Sequence, residues 1–333
     1  MKIIYSCIMT LAVALVSTFA SARERQTSVG RIDSSCVTEV PKGATVDAAT
    51  GRVTRVDGSS YATSTCDESW TPAHPRPAEV GGGAAEVQNL ALAQADGFNA
   101  GNDYGVTNDW VMFSSANAIA LNGMATFDDM EQNIFVPDAP QNASDAGSQY
   151  LWCGLENLTS GGDWATLIQA YIVWGEIPGT WALQTAYVPN PSYVRGNVFT
   201  SVAEPVAPGD RISCQVSRIQ VGEWQITATD TASGAWSRTN LVPASGNGAL
   251  VYNWALLAVY EAFPVGSCAG MPFQGYGVVD RGWLRQAGPV WNAEVNVVGQ
   301  VAVHTFAATC CCDNETFYEP IGGATFFSFF NGF

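Results

Sequence analysis

After Gln88 the apolar stretches of this chain are short, of strand length, and separated by turn chemistry. Asp109–Phe113, Asn133–Val136, Tyr150–Leu155, Thr166–Trp174, Trp181–Tyr187, Arg211–Val216 and Trp224–Thr229 read as strands. Between them stand Asn122-Gly123, Pro208-Gly209-Asp210, Ser233-Gly234 and Gly246-Asn247-Gly248, residues that supply the backbone angles of tight turns. A helical apolar period is confined to the stretch around Ala84 to Ala95. A chain written this way specifies an all-β fold, an antiparallel two-sheet β-sandwich.

The chain has 333 residues, 47% of them hydrophobic, enough to bury a large core. Met1 to Ala22 carries Lys2, an apolar run from Ile8 to Ala20 and a small-residue end, the pattern of a cleaved secretory signal. Removing it with Cys7 leaves eight cysteines, an even number suited to disulfides in an exported protein. Residues 23–88 are polar and rich in Ser, Thr, Gly and Pro, and read as a pro-segment or linker. Residues 89–333, ending in a Cys- and Phe-rich stretch, form the sandwich domain.

Charge separates these parts. Residues 1–80 carry 8 Lys/Arg and 8 Asp/Glu, whereas residues 81–333 carry 6 Arg, no Lys and 22 Asp/Glu, so the net charge of −16 lies in the second part. So acidic a domain repels nucleic acid and anionic membrane surfaces. No apolar run after the signal reaches the roughly 18 residues of a helical membrane span. A secreted monomer is expected.

Ala255–Phe263, ALLAVYEAF, is an apolar strand with one carboxylate, Glu261. Simple alternation places Leu257, Val259, Glu261 and Phe263 on one face and Leu256, Ala258 and Tyr260 on the other. An ionised carboxylate in such surroundings costs several kcal/mol unless hydrogen-bonded or paired, which marks Glu261 as a candidate for chemistry. Other chemistries lack their residues. Only His74 and His304 exist, and there is no G-x-S-x-G elbow, H-E-x-x-H motif, P-loop or G-x-G-x-x-G fingerprint. Carboxylates and amides remain, with no metal or cofactor called for.

Ala165-Thr166-Leu167-Ile168-Gln169-Ala170-Tyr171-Ile172-Val173-Trp174-Gly175 resembles the strand that carries the catalytic glutamine of the eqolisins, the secreted glutamic peptidases. Tyr150-Leu151-Trp152-Cys153-Gly154-Leu155-Glu156 is similar to that family's A-W-V-G-I-D segment, and Val259-Tyr260-Glu261-Ala262-Phe263 to its I-V-E-D-F segment. Order and spacing match from roughly Asp109 to Val279. The resemblance implies a concanavalin-like, jelly-roll-type sandwich with Gln169 and Glu261 as the catalytic dyad. Trp152, Glu156 and Tyr171 would line the substrate site. Glu261 would activate a water, and the Gln169 amide would stabilise the oxyanion of a polypeptide substrate at acidic pH. The chain departs from the family at Leu257, Ala258, Glu156 and Gln184, which bears on substrate preference and on activity itself.

Two other readings fit the same residues. A glycoside hydrolase would need Glu261 and a second carboxylate such as Glu156 about 5–9.5 Å apart on one face. A noncatalytic carbohydrate-binding module would keep the scaffold without turnover.

Overall fold

The computed structural model describes residues 24–64, 66, 126–159, 164–194, 196–220, 222–242, 251–263 and 270–272 in full. It describes residues 109–117, 275–286, 294–295, 302–305, 312–319 and 324–331 as backbone strands. The signal at 1–22, the Pro- and Gly-rich stretch around 72–83, the helical stretch at 84–95 and the turns at 122–123 and 246–248 lie outside the described residues.

In chain order the strands are β1 (Glu24–Thr27), β2 (Gly30–Asp33), β3 (Val37–Val40), β4 (Thr45–Asp47), β5 (Arg52–Thr54), β6 (Ser60–Ala62), β7 (Asp109–Asn117), β8 (Phe127–Phe135), β9 (Ser148–Leu158), β10 (Trp164–Ile177) and β11 (Thr180–Pro189). They continue as β12 (Val198–Ser201), β13 (Glu204–Val206), β14 (Arg211–Gln220), β15 (Glu223–Asp230), β16 (Trp236–Val242), β17 (Trp254–Phe263), β18 (Gly275–Gln286), β19 (Glu294–Val295), β20 (Ala302–Thr305), β21 (Cys312–Glu319) and β22 (Ala324–Asn331). Two large sheets result. The front sheet runs β20-β7-β17-β9-β10-β11-β12-β3, with β13 attached to β11; the back sheet runs β21-β22-β18-β8-β14-β15-β16-β4-β5-β6, with β19 on β18. A separate hairpin pairs β1 with β2. The fold is the all-β sandwich that the turn-punctuated sequence specifies.

Burial distinguishes the sheets. In the back sheet, β15 and β16 alternate buried and half-buried positions, as expected of one face on the core and one toward solvent. In the front sheet, β17 is buried at every position and β9, β10 and β11 nearly so. Both of its faces are therefore covered, which explains their uninterrupted apolar sequences. One face meets the back sheet through Leu151, Ile168, Ile172, Leu183, Val216 and Ile226. The other carries a second cluster of Trp152, Leu167, Tyr171 and Val259, roofed by Val29, Ile32 and Cys36 from the N-terminal segment.

That roof belongs to the stretch 23–88 read from the sequence as a pro-segment or linker. Residues 24–62 form six strands. β3 extends the front sheet in parallel beside β12, β4 extends the back sheet beside β16, and Val40, Val46 and Val53 are fully buried in the sandwich core. Cys36 and Cys66 close a disulfide over this segment. The remainder of the expected linker, apart from residues 63, 64 and 66, lies outside the described residues.

A correction concerns β17. A bulge between Leu256 and Val259 makes three residues of β17 oppose two of β9. Leu257 and Ala258 both turn to the sandwich core, whereas Leu256 joins Val259 and Phe263 in the outer cluster. Alternation from Glu261 back to Leu257 therefore fails at the bulge.

Candidate active site

The outer face of the front sheet can be read row by row across β11, β10, β9 and β17. The first row is Val188, Leu167, Glu156 and Trp254; the second is Ala186, Gln169, Gly154 and Leu256. The third is Gln184, Tyr171, Trp152 and Val259, and the fourth is Ala182, Val173, Tyr150 and Glu261. All five residues named from the sequence lie on this face. Gln169, Glu156, Glu261 and Trp152 are 0% exposed and Tyr171 is 3% exposed.

Gly154 lets β9 lie close against β10 beside Gln169. A Cβ at this position would lie 2.5 Å from the Ile168 carbonyl oxygen and 3.1 Å from the Gln169 Cβ. Only glycine permits so close an approach here.

The pairing of Gln169 with Glu261 follows the register. They share a sheet and a face, but stand two strands apart and two rows apart, about 16 Å between Cα atoms from standard strand spacings. Trp152 and Tyr171 occupy the row between them. The Gln169 amide nitrogen donates instead to the Ser28 hydroxyl of the N-terminal hairpin, and its Oε1 accepts no hydrogen bond among the described residues. The pair is thus not assembled around one water position. Glu156 is nearer to Gln169, on the adjacent strand and one row away, the diagonal relation that long side chains span.

Glu156 and Glu261 are three rows apart on neighbouring strands, about 20 Å between Cα atoms by the same spacings. Side chains of this length cannot close that gap to 9.5 Å, so this carboxylate pair does not meet the glycosidase requirement.

Sequence reasoning missed Tyr150, Glu176, Arg25 and Ser28. Arg25 pairs with Glu176 and lies 3.8 Å from Glu39. Burial pushes the Tyr150 hydroxyl well above its ordinary pKa, reinforced by Tyr171 and the negative charges of Glu176 and Glu261, against the opposing charge of Arg25. Burial likewise raises Tyr171, with Glu176 adding to it. A cleft under the hairpin is lined by Arg25, Ser28, Tyr150, Tyr171, Glu176 and Gln184. The Gln184 amide donates to the Ser201 carbonyl at 2.8 Å, which ties β11 to β12 beside the cleft. The signal for the hairpin was a short one: Thr27-Ser28-Val29-Gly30, a turn with a glycine, between two polar segments.

No family model matches this chain, and no curated protein does. Solved structures do. Scytalidoglutamic peptidase with a peptide-based transition-state analogue aligns at 13% identity over 68% of this chain and 100% of that one, TM-score 0.46. SCP-B, a member of the eqolisin family in complex with the tripeptide Ala-Ile-His, aligns at 13% identity over the same shares, TM-score 0.43. Aspergilloglutamic peptidase from Aspergillus niger aligns at 11% identity over 55% of this chain and 99% of that one, TM-score 0.37. These are glutamic peptidases. The roles assigned below rest on the register, burial and hydrogen bonding of this chain's own residues, and on the motifs they form.

Proposed function

We propose that the outer face of the front sheet hydrolyses peptide bonds in acid, in a protein exported by its first 22 residues. The observation that carries this reading is the burial of an amide, Gln169, with two carboxylates, Glu156 and Glu261, on an apolar face walled by aromatic rings and outside the sandwich core. The Gln169 Nε2 hydrogens would donate to the oxygen that becomes negative in the tetrahedral intermediate, a role whose loss costs about 10²–10³ in rate. Glu156, one strand and one row from Gln169, stands near enough to share a water with its amide and would take a proton from that water and return it to the leaving amine, the part the motif resemblance gives to Glu261, which lies too far along the sheet to share it. Trp152 and Tyr171 would form the floor beneath an extended polypeptide.

Three variants test this. Glu156→Gln and Gln169→Ala are each expected to lower kcat/KM on a denatured protein at least about 100-fold with the melting transition retained. Glu261→Gln, two rows from the amide, is expected to leave most of the activity. Full activity in Glu156→Gln removes Glu156 from the mechanism, full activity in Gln169→Ala removes the amide, and a loss in Glu261→Gln as deep as that expected of Glu156→Gln returns the base to Glu261.

A further inference from the structure

Two thiols meet across the middle of the sandwich. Cys153 lies on β9 of the front sheet and Cys214 on β14 of the back sheet, and both are fully buried in the inner cluster. Neither is in a disulfide, and their side chains are hydrogen-bonded to each other. Cys36 and Cys66 of the same molecule are already bonded. A buried cysteine packs as a small apolar side chain, and one on each sheet would need no further account if they stood apart. In contact, the two can also react with each other.

Their surroundings draw the sheets together. Packed sheets stand about 10 Å apart, whereas Cα atoms joined through a disulfide lie about 4.4–6.8 Å apart, so a bond between sheets requires small neighbours. It has them. Ala170 stands directly opposite Cys153 on β10, Ala228 directly opposite Cys214 on β15, and Ala258 turns to the core at the β17 bulge. All three are fully buried. Cα atoms of β9 and β14 accordingly come within 8 Å of each other.

We propose that Cys153 and Cys214 are the two halves of a disulfide that staples the front sheet to the back sheet, the thiol pair being its reduced form. A small-molecule disulfide of the glutathione class is the oxidant. One protein thiolate attacks it and releases the first small thiol; the other protein thiolate attacks the resulting mixed disulfide and releases the second, and the two protein protons end on the two released thiols. Two electrons pass from the protein to the reagent. In the folded molecule both thiols are covered, and burial keeps Cys153 protonated, so the exchange takes place in the folding chain before the sheets close. The bond joins strands that β10 to β13 separate along the chain, and closing that loop lowers the unfolding equilibrium constant about a thousandfold. It forms whatever chemistry the outer face performs.

The test unfolds and reduces the full chain, then refolds it in parallel in a mixture of oxidised and reduced glutathione and in excess dithiothreitol. Iodoacetamide in urea, followed by peptide mass mapping, is expected to find Cys153 joined to Cys214 in the first sample and both alkylated in the second, the dithiol form. Dithiol protein that has already folded should stay dithiol when moved to the glutathione mixture without urea. In urea titrations the oxidised form should be the more stable, and Cys214→Ala should shrink the difference between the two redox states about a thousandfold in the unfolding equilibrium constant. That comparison is made within one variant, so the cavity left by alanine cancels, and the mapping decides the bond even if the variant does not fold. Both cysteines alkylated after oxidative refolding, or either joined to a different cysteine, overturns the cross-sheet bond. A redox difference undiminished in Cys214→Ala overturns its role as a staple, and rapid bond formation in the folded dithiol protein overturns closure before folding.

Discussion

At the scale of residues the site depends on Gly154 as much as on any polar group. It stands opposite Gln169, and a Cβ there would come within 2.5 Å of the Ile168 carbonyl oxygen, which leaves no room for one. Gly154→Ala must push β9 from β10, where both strands are packed on both faces. Overpacking of this kind costs about 1–3 kcal/mol, and the near-rigid neighbour, a backbone carbonyl, puts the expectation at the upper end. A melting temperature within about 1 °C of the parent protein's would show that the strands yield freely and that their close approach is not set by this glycine. The acid was legible for a related reason: Glu261 breaks an apolar run, and a charge there demands an explanation. Ser28 gave no such signal, since a serine in a polar stretch reads as solvent-facing until a partner from across the molecule is known.

Elements were legible where one periodicity dominated. β9, β10, β11, β14 and β15 coincide with apolar runs or alternations, and Ser233-Gly234 closes the β15–β16 turn with Gly234 at φ 75°. The first half of β8 was not legible, because Phe127-Asp128-Asp129-Met130 puts two carboxylates in a strand. They are buried and partnered: Asp128 lies 2.7 Å from Arg218 and Asp129 accepts from Ser217 at 2.7 Å. The strands β3 to β6 escaped because each is three or four residues long with one or two apolar side chains. Their packing has a direct check. Val46 is 0% exposed and opposes Leu241 across the parallel β4–β16 pairing. Val46→Asp buries an unpaired charge and is expected to destabilise the molecule by at least about 3 kcal/mol in a urea titration. A linker valine would tolerate the same change, so an unshifted midpoint would return residues 37–62 to the status the sequence alone suggested.

For the whole molecule, the front sheet is the shared wall of two apolar clusters, one against the back sheet and one beneath the N-terminal roof. The two clusters are separate layers on one wall only if the two sheets part in global unfolding alone. Cys153 reports on that condition. It lies on β9 in the inner cluster, fully buried, against Cys214 on β14 of the opposite sheet. Burial pushes the Cys153 thiol well above its ordinary pKa, with Cys214 adding to the shift, so at pH 8 it is both covered and protonated. Iodoacetamide should therefore leave Cys153 unlabelled in the native protein, by peptide mapping, and label it along a urea curve whose midpoint coincides with that of tryptophan fluorescence. Labelling of Cys153 well below the fluorescence midpoint would mean that the sheets separate before the molecule unfolds, and that the inner cluster is not its last cooperative unit.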